Sequence, residues 1–185
     1  MKELFEAVRA GDLARVQTLV EADPTLAVFA AAILGDTARL EELLTGNRSL
    51  VASMSPDGWT PLHLAAFFGK GDAARLLLNK GASVAARSTN SMANTPLHAA
   101  AAGQHAELVK LLLDRGANAN AQQHGGWAPL HSAAQNGDLA SARALIDAGA
   151  DVSVRADNHQ KPLDLALTKA QQAMVEFLEA NGAKL

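Results

Sequence analysis

The chain has 185 residues, is 49% hydrophobic with only 4% aromatic residues, and carries a formal net charge of −3 at pH 7. A mildly acidic balance without a run of lysine or arginine disfavours a nucleic-acid footprint, and the absence of cysteine excludes disulfides and thiolate metal sites. No apolar run approaches the ~18 residues of a membrane span, and charges at Lys2, Glu3, Glu6 and Arg9 interrupt any signal-peptide core, so a soluble, cytoplasmic protein is expected.

From the N-terminus, LFEAVRAG (4–11) and DLARVQTLV (12–20) read as a helix pair whose wet face carries Glu3, Glu6, Arg9 and Arg15. VFAAAILGDTARLEELL (28–44) repeats the pattern, with Phe29 matching Phe5. The joint EADPTLA between them is too short for a protruding finger, which marks the first pair as a polar cap. Residues 46–58 read as a loop and hairpin, because Pro56-Asp57-Gly58 is a turn sequence: proline presets φ and glycine accepts positive φ.

The third stretch, TPLHLAAFFGKGDAARLLLN from Thr60, fixes the reading of the rest. Thr60 can cap a helix that begins with Pro61, whose missing N–H is an orphan donor at that position. Leu62, Ala65 and Ala66 give this helix a small apolar face, Gly69 and Gly71 break it, and Ala73, Ala74, Leu76, Leu77 and Leu78 make a second helix that Gly81 ends. The stretch recurs as TPLHAAAAGQHAELVKLLLD from Thr95, APLHSAAQNGDLASARALID from Ala128 and, degraded, KPLDLALTKAQQAMVEFLEA from Lys161. Starts 35, 33 and 33 residues apart mean stacked units, none of which can bury its apolar face alone.

TPLH, paired alanines, a glycine turn, an LLL or LLI helix and then GASVAA, GANANA or GADVSV together resemble the ankyrin repeat. The resemblance implies an all-α solenoid of about six stacked helix pairs with short β-hairpin fingers, built as one domain over 1–185. The pairs fall near 2–21 (N-cap), 25–45, 60–80, 95–115, 128–148 and 161–181 (C-cap). The finger STNSMAN (88–94) is two residues longer than the family period and is expected to protrude. In the last unit Lys161 and Asp164 replace threonine and histidine, as a solvent-facing cap requires.

His63, His98 and His131 occupy one slot of successive units. Equivalent positions of stacked helices lie roughly 10 Å apart, whereas zinc ligands stand about 2 Å from the metal, so these imidazoles read as braces for the backbone of their own hairpins, and His105 in the turn as a brace too. Gly69-Lys70-Gly71 lacks the lysine-hydroxyl pair and the preceding strand of a phosphate loop. No catalytic constellation, metal site or cofactor is expected, and the chain reads as a non-enzyme.

The resemblance implies a concave face made from finger tips, the residue before each capping threonine, and the two positions after the paired alanines. Those slots hold Trp59, Phe67 and Phe68 in the third unit; Arg87, Met92, Asn94 and Ala102 around the fourth; His124, Trp127, Gln135 and Asn136 in the fifth; and Arg155, Asp157 and Gln160 in the sixth. Aromatic residues and arginine dominate binding hot spots. The expected function is therefore a monomeric, non-catalytic adaptor that binds a partner protein through these residues, with no nucleic acid and no membrane involved. Small-ligand or enzymatic use of the groove, and self-association through the Phe67/Phe68 patch, are the alternatives.

Overall fold

The computed structural model describes residues 1–184. Among them are twelve α-helices and no strand. They fall into six pairs: α1 (Lys2–Arg9) with α2 (Leu13–Ala22), α3 (Ala27–Leu34) with α4 (Thr37–Gly46), α5 (Pro61–Phe67) with α6 (Gly71–Asn79), α7 (Pro96–Ala102) with α8 (Ala106–Asp114), α9 (Pro129–Asn136) with α10 (Leu139–Asp147), and α11 (Pro162–Thr168) with α12 (Gln172–Ala180). Helices α3, α5, α7, α9 and α11 pack in one row, and α4, α6, α8, α10 and α12 in a second. The first row is alanine-rich: Ala65, Ala66, Ala100, Ala101, Ala133 and Ala134 are all buried, so those backbones approach closely. Leu77, Leu112 and Leu145 fill the space between rows at 0% exposure.

The second row is tied by longer polar and aromatic side chains. Lys80 on the α6 C-cap pairs with Glu41 of α4. Arg115 donates to Asn79 at 3.0 Å, and Arg143 of α10 sits 5.0 Å over the Phe177 ring of α12.

The N-terminal pair departs from the regular stack. Its charged residues Glu3, Glu6, Arg9 and Arg15 are exposed, and Arg15 pairs with Glu3 at 3.3 Å. The joints on either side of α3 and α4 are tight 3-10 turns, Pro24–Leu26 and Arg48–Ala52, the second lying inside the stretch expected to be loop. Both have the same cause. Asp23 accepts from the backbone N–H and hydroxyl of Thr25, and Asn47 does the same for Ser49. Every residue from Ala27 to Ile33 in α3 is buried, and α1 packs against this helix.

The fingers are turns rather than paired strands. Each is closed at its base by a backbone hydrogen bond: Ser55 N to Trp59 O, Gln123 N to Trp127 O, Ala156 N to Gln160 O and, in the longer finger, Ser88 N to Asn94 O. Each holds a second within the turn: Gly58 N to Ser55 O, Gly126 N to Gln123 O, His159 N to Ala156 O and Ala93 N to Asn90 O. The two extra residues fold around Asn90, whose side-chain oxygen accepts from Met92 N and from the Ser88 hydroxyl, both at 3.0 Å. Single backbone bonds then join neighbouring fingers: Thr89 N to Gly58 O, His124 N to Met92 O, and Asp157 N to Gly125 O. One bond per junction holds the fingers in a row without building a ladder.

Candidate functional site

The capping slot, repeated in three successive units, positions three of the fingers. Thr60 Oγ1 accepts from His63 N at 3.3 Å and donates to His63 Nδ1 at 2.7 Å. With Nδ1 acting as acceptor, Nε2 carries the proton and donates to Asn94 O at 3.0 Å. His98 repeats this with Thr95 and Trp127 O, and His131 with Ala128 N and Gln160 O. The far bond therefore reaches the finger of the next unit, where the sequence suggested a brace within each histidine's own hairpin. Burial lowers the pKa of His63 and His98 to about 4, opposed by the bonds to those carbonyls, and lowers that of His131 for the same reason. In the sixth unit Asp164 makes only the near bond, to Lys161 N at 2.8 Å.

Phe29 occupies the same slot in α3, so the finger Ser55–Trp59 receives no imidazole from the preceding unit. That finger presents Trp59, half-buried, with its ring 5.6 Å from the His63 ring and 6.5 Å from Phe67. Phe67 meets Phe68 edge-on at 5.3 Å, and Phe68 lies 5.7 Å from Phe5 of α1. The Phe67 carbonyl accepts from His105 Nε2 at 3.0 Å, so His105 braces the end of α5 in the preceding unit and not the hairpin of its own. Phe5, Arg9, Trp59, Leu64, Phe67 and Phe68 enclose an open pocket of about 200 Å³. Leu64 is buried, the four aromatic residues are half-buried, and Arg9 is exposed.

A second, more polar cleft of about 530 Å³ lies between the two adjoining fingers, lined by Pro56, Asp57, Gly58, Trp59, Thr89, Asn90, Ser91 and Met92. Trp59 separates the two depressions, and Met92 is 41% exposed beside it. The longer finger supplies half of this cleft.

The remaining expected contact residues divide by their bonds. Arg87 is exposed, but its guanidinium donates to Ala93 O at 2.8 Å and Gln122 O at 3.0 Å, so it staples two fingers. Arg155, one repeat beyond Gln122, donates no side-chain hydrogen bond among the described residues and is exposed. His124, Gln135 and Asp157 are also exposed. Trp127 is half-buried with its ring 5.2 Å from that of His131, and Asn136 is half-buried and donates to Ala102 O at 3.4 Å. Asn94 is a correction: at 3% exposure it lies under its finger, bonded through its backbone to His63 and Ser88, and offers no surface to a partner.

Phe5, Arg9 and Leu64 complete the pocket without having been singled out in the sequence. Phe5 appeared there only as the match of Phe29. Its 24-residue offset from Phe29, against 33 to 35 elsewhere, is the mark of a pair not stacked in register.

Residues 4–88 and 83–156 match the family described as ankyrin repeats (3 copies). Comparison with curated proteins gave no match. The match spans well over half of the chain and ends before α11 and α12, where the TPLH signature has decayed to KPLD. With this match and the observed stack of helix pairs, the chain belongs to the ankyrin repeat family.

Proposed function

We propose that the protein is a non-catalytic adaptor of the cytoplasm that binds a partner protein along the odd-numbered helix row and the finger tips. The observation that carries this reading is the aromatic cluster of Trp59, Phe67 and Phe68, half-buried around an open pocket on a scaffold that does not require aromatic residues there. In the fourth and fifth units the same positions hold Ala102-Gly103 and Gln135-Asn136, so the stack is built without them. Large apolar area with restricted rotamers is what interface hot spots use. Trp127, Arg155, Met92, His124, Gln135, Asn136 and Asp157 extend the surface, and Arg87 contributes by fixing the fingers. Ankyrin repeats are generally protein-interaction modules, and that supports a protein as the partner.

The imidazoles that a catalytic reading would require are committed to backbone carbonyls, which supports a non-catalytic role. No helix among the described residues is long and apolar enough to cross a membrane. The test is a pull-down from the source cell with the wild-type chain beside a Trp59→Ala/Phe68→Ala/Trp127→Ala variant of equal helicity by circular dichroism. A protein retained by the first and lost by the second is the expected result. Equal retention of one protein by both would move the site to the opposite face, and retention by neither would end the adaptor reading.

A further inference from the structure

We infer that the pocket between α1 and α5 is a receptor for one bulky apolar side chain of a partner protein, flanked in that partner by a carboxylate that pairs with Arg9. The inference rests on the proposed protein-binding role and names the chemistry of what is bound. Three observations carry it.

The first is size. A pocket of about 200 Å³ is smaller than the ~300–1,000 Å³ of sites that enclose a cofactor or metabolite, yet ample for a single leucine, methionine or phenylalanine side chain. The second is lining. Leu64 with Phe5, Trp59, Phe67 and Phe68 leaves no hydrogen-bonding group on the walls apart from the Trp59 indole and Arg9, so a polar occupant would lose its hydration without compensation.

The third is the charge at the rim. Among the described residues Arg9 makes no ion pair and no side-chain hydrogen bond; Arg48, Lys70, Arg75, Arg155 and Lys169 are likewise unpaired, but Arg9 is the cation that lines this pocket. An unpaired guanidinium beside an apolar pocket attracts an acidic neighbour and repels a basic one, which supplies selectivity as well as attraction. A second copy of this chain fits less well. Its own pocket lining holds no carboxylate, so a two-fold pairing of these patches would offer Arg9 no acidic partner from that lining.

The experiment uses the full chain carrying Trp127→Phe, which leaves Trp59 as its sole tryptophan and makes indole fluorescence a direct report on the pocket. Twelve-residue peptides are selected from a randomised display library on this protein. The best are synthesised with blocked termini and titrated. Enriched sequences should share one bulky apolar residue with Asp or Glu within a few positions, and binding should shift Trp59 emission. Phe68→Ala should abolish the shift. Arg9→Glu, an exposed substitution, should weaken the same peptides about tenfold and favour versions with lysine in place of the acid.

Enriched peptides without an acidic preference, or undiminished by Arg9→Glu, would overturn the inference. So would a selection that yields no peptide perturbing Trp59. Peptides that bind without moving Trp59 emission and are lost in an otherwise wild-type Trp127→Ala chain would overturn it while leaving the adaptor reading in place. Concentration-dependent light scattering that places a second copy on the patch, abolished by Phe68→Ala, would overturn it in favour of self-association.

Discussion

The Nε2 of His63 donates to the carbonyl of Asn94, 31 residues further along the chain, at 3.0 Å. One imidazole thereby bonds the cap of its own helix on one ring nitrogen and the next unit's finger on the other. His98 and His131 do the same for Trp127 and Gln160, so three neutral rings link successive units.

Those links make the stack acid-sensitive. In the folded protein His63 and His98 have pKa values of about 4 against 6.5 when unfolded, and His131 is also lowered. A lowered pKa means that the unfolded chain takes up protons first as pH falls. The contribution is thus complete above about 6.5, declines between there and about 4, and changes no further below. Each histidine adds at most about 1.4 kcal/mol per pH unit to the slope. Urea unfolding at pH 7, 6, 5 and 4.5 should show stability falling steadily, and a constant midpoint from pH 7 to 5 would mean that the rings are not buried neutral.

The finger that carries Trp59 is held by its neighbour at Gly58. This residue has φ +78°, and a Cβ built there would meet Asn90 N at 2.6 Å. Gly58→Ala should therefore destabilise the protein by roughly 1 to 3 kcal/mol and separate the finger from Thr89 and Asn90. Amide exchange should be faster at Thr89, whose N–H bonds Gly58 O. Unchanged protection at Thr89 would refute this account of the junction.

Arg87 and Arg155 occupy related positions but have different work. Arg87→Ala removes two charge-assisted bonds to finger carbonyls and should lower stability by about 1 kcal/mol. Arg155→Ala should leave the melt unchanged and act only on partner binding. Equal melting losses for the two variants would show that Arg155 also staples a finger.

Phe68 and Leu112 separate surface from core. Leu112, at 0% exposure between the helix rows, should lose about 2 to 5 kcal/mol on truncation to alanine. Phe68→Ala gives up contacts with Phe5 and Phe67 but is already half in solvent, so about 1 kcal/mol is expected together with loss of binding. Thermal melts of both variants check the difference, and a Phe68 loss as large as that of Leu112 would place Phe68 in the core.

The sequence by itself determined the repeat, the helix pairs and their caps and breaks, because each of those follows from spacing within one unit: proline after the cap, paired alanines, a glycine turn, a leucine run. The length anomaly at residues 88–94 was likewise legible, and the two extra residues sit in the turn closed by Ser88 and Asn94. Only the tertiary structure decided which neighbour each outward residue meets. It sent Arg87 into a finger staple, buried Asn94 and directed each histidine's far bond to the following unit, because these depend on the register between units rather than on any one of them. It also brought α1 over α3, so that Phe5 and Arg9 close a pocket with Phe68, which lies 63 and 59 residues further along the chain. The first pair lacks a finger to hold it in the regular stack, and no local spacing records where such a pair comes to rest.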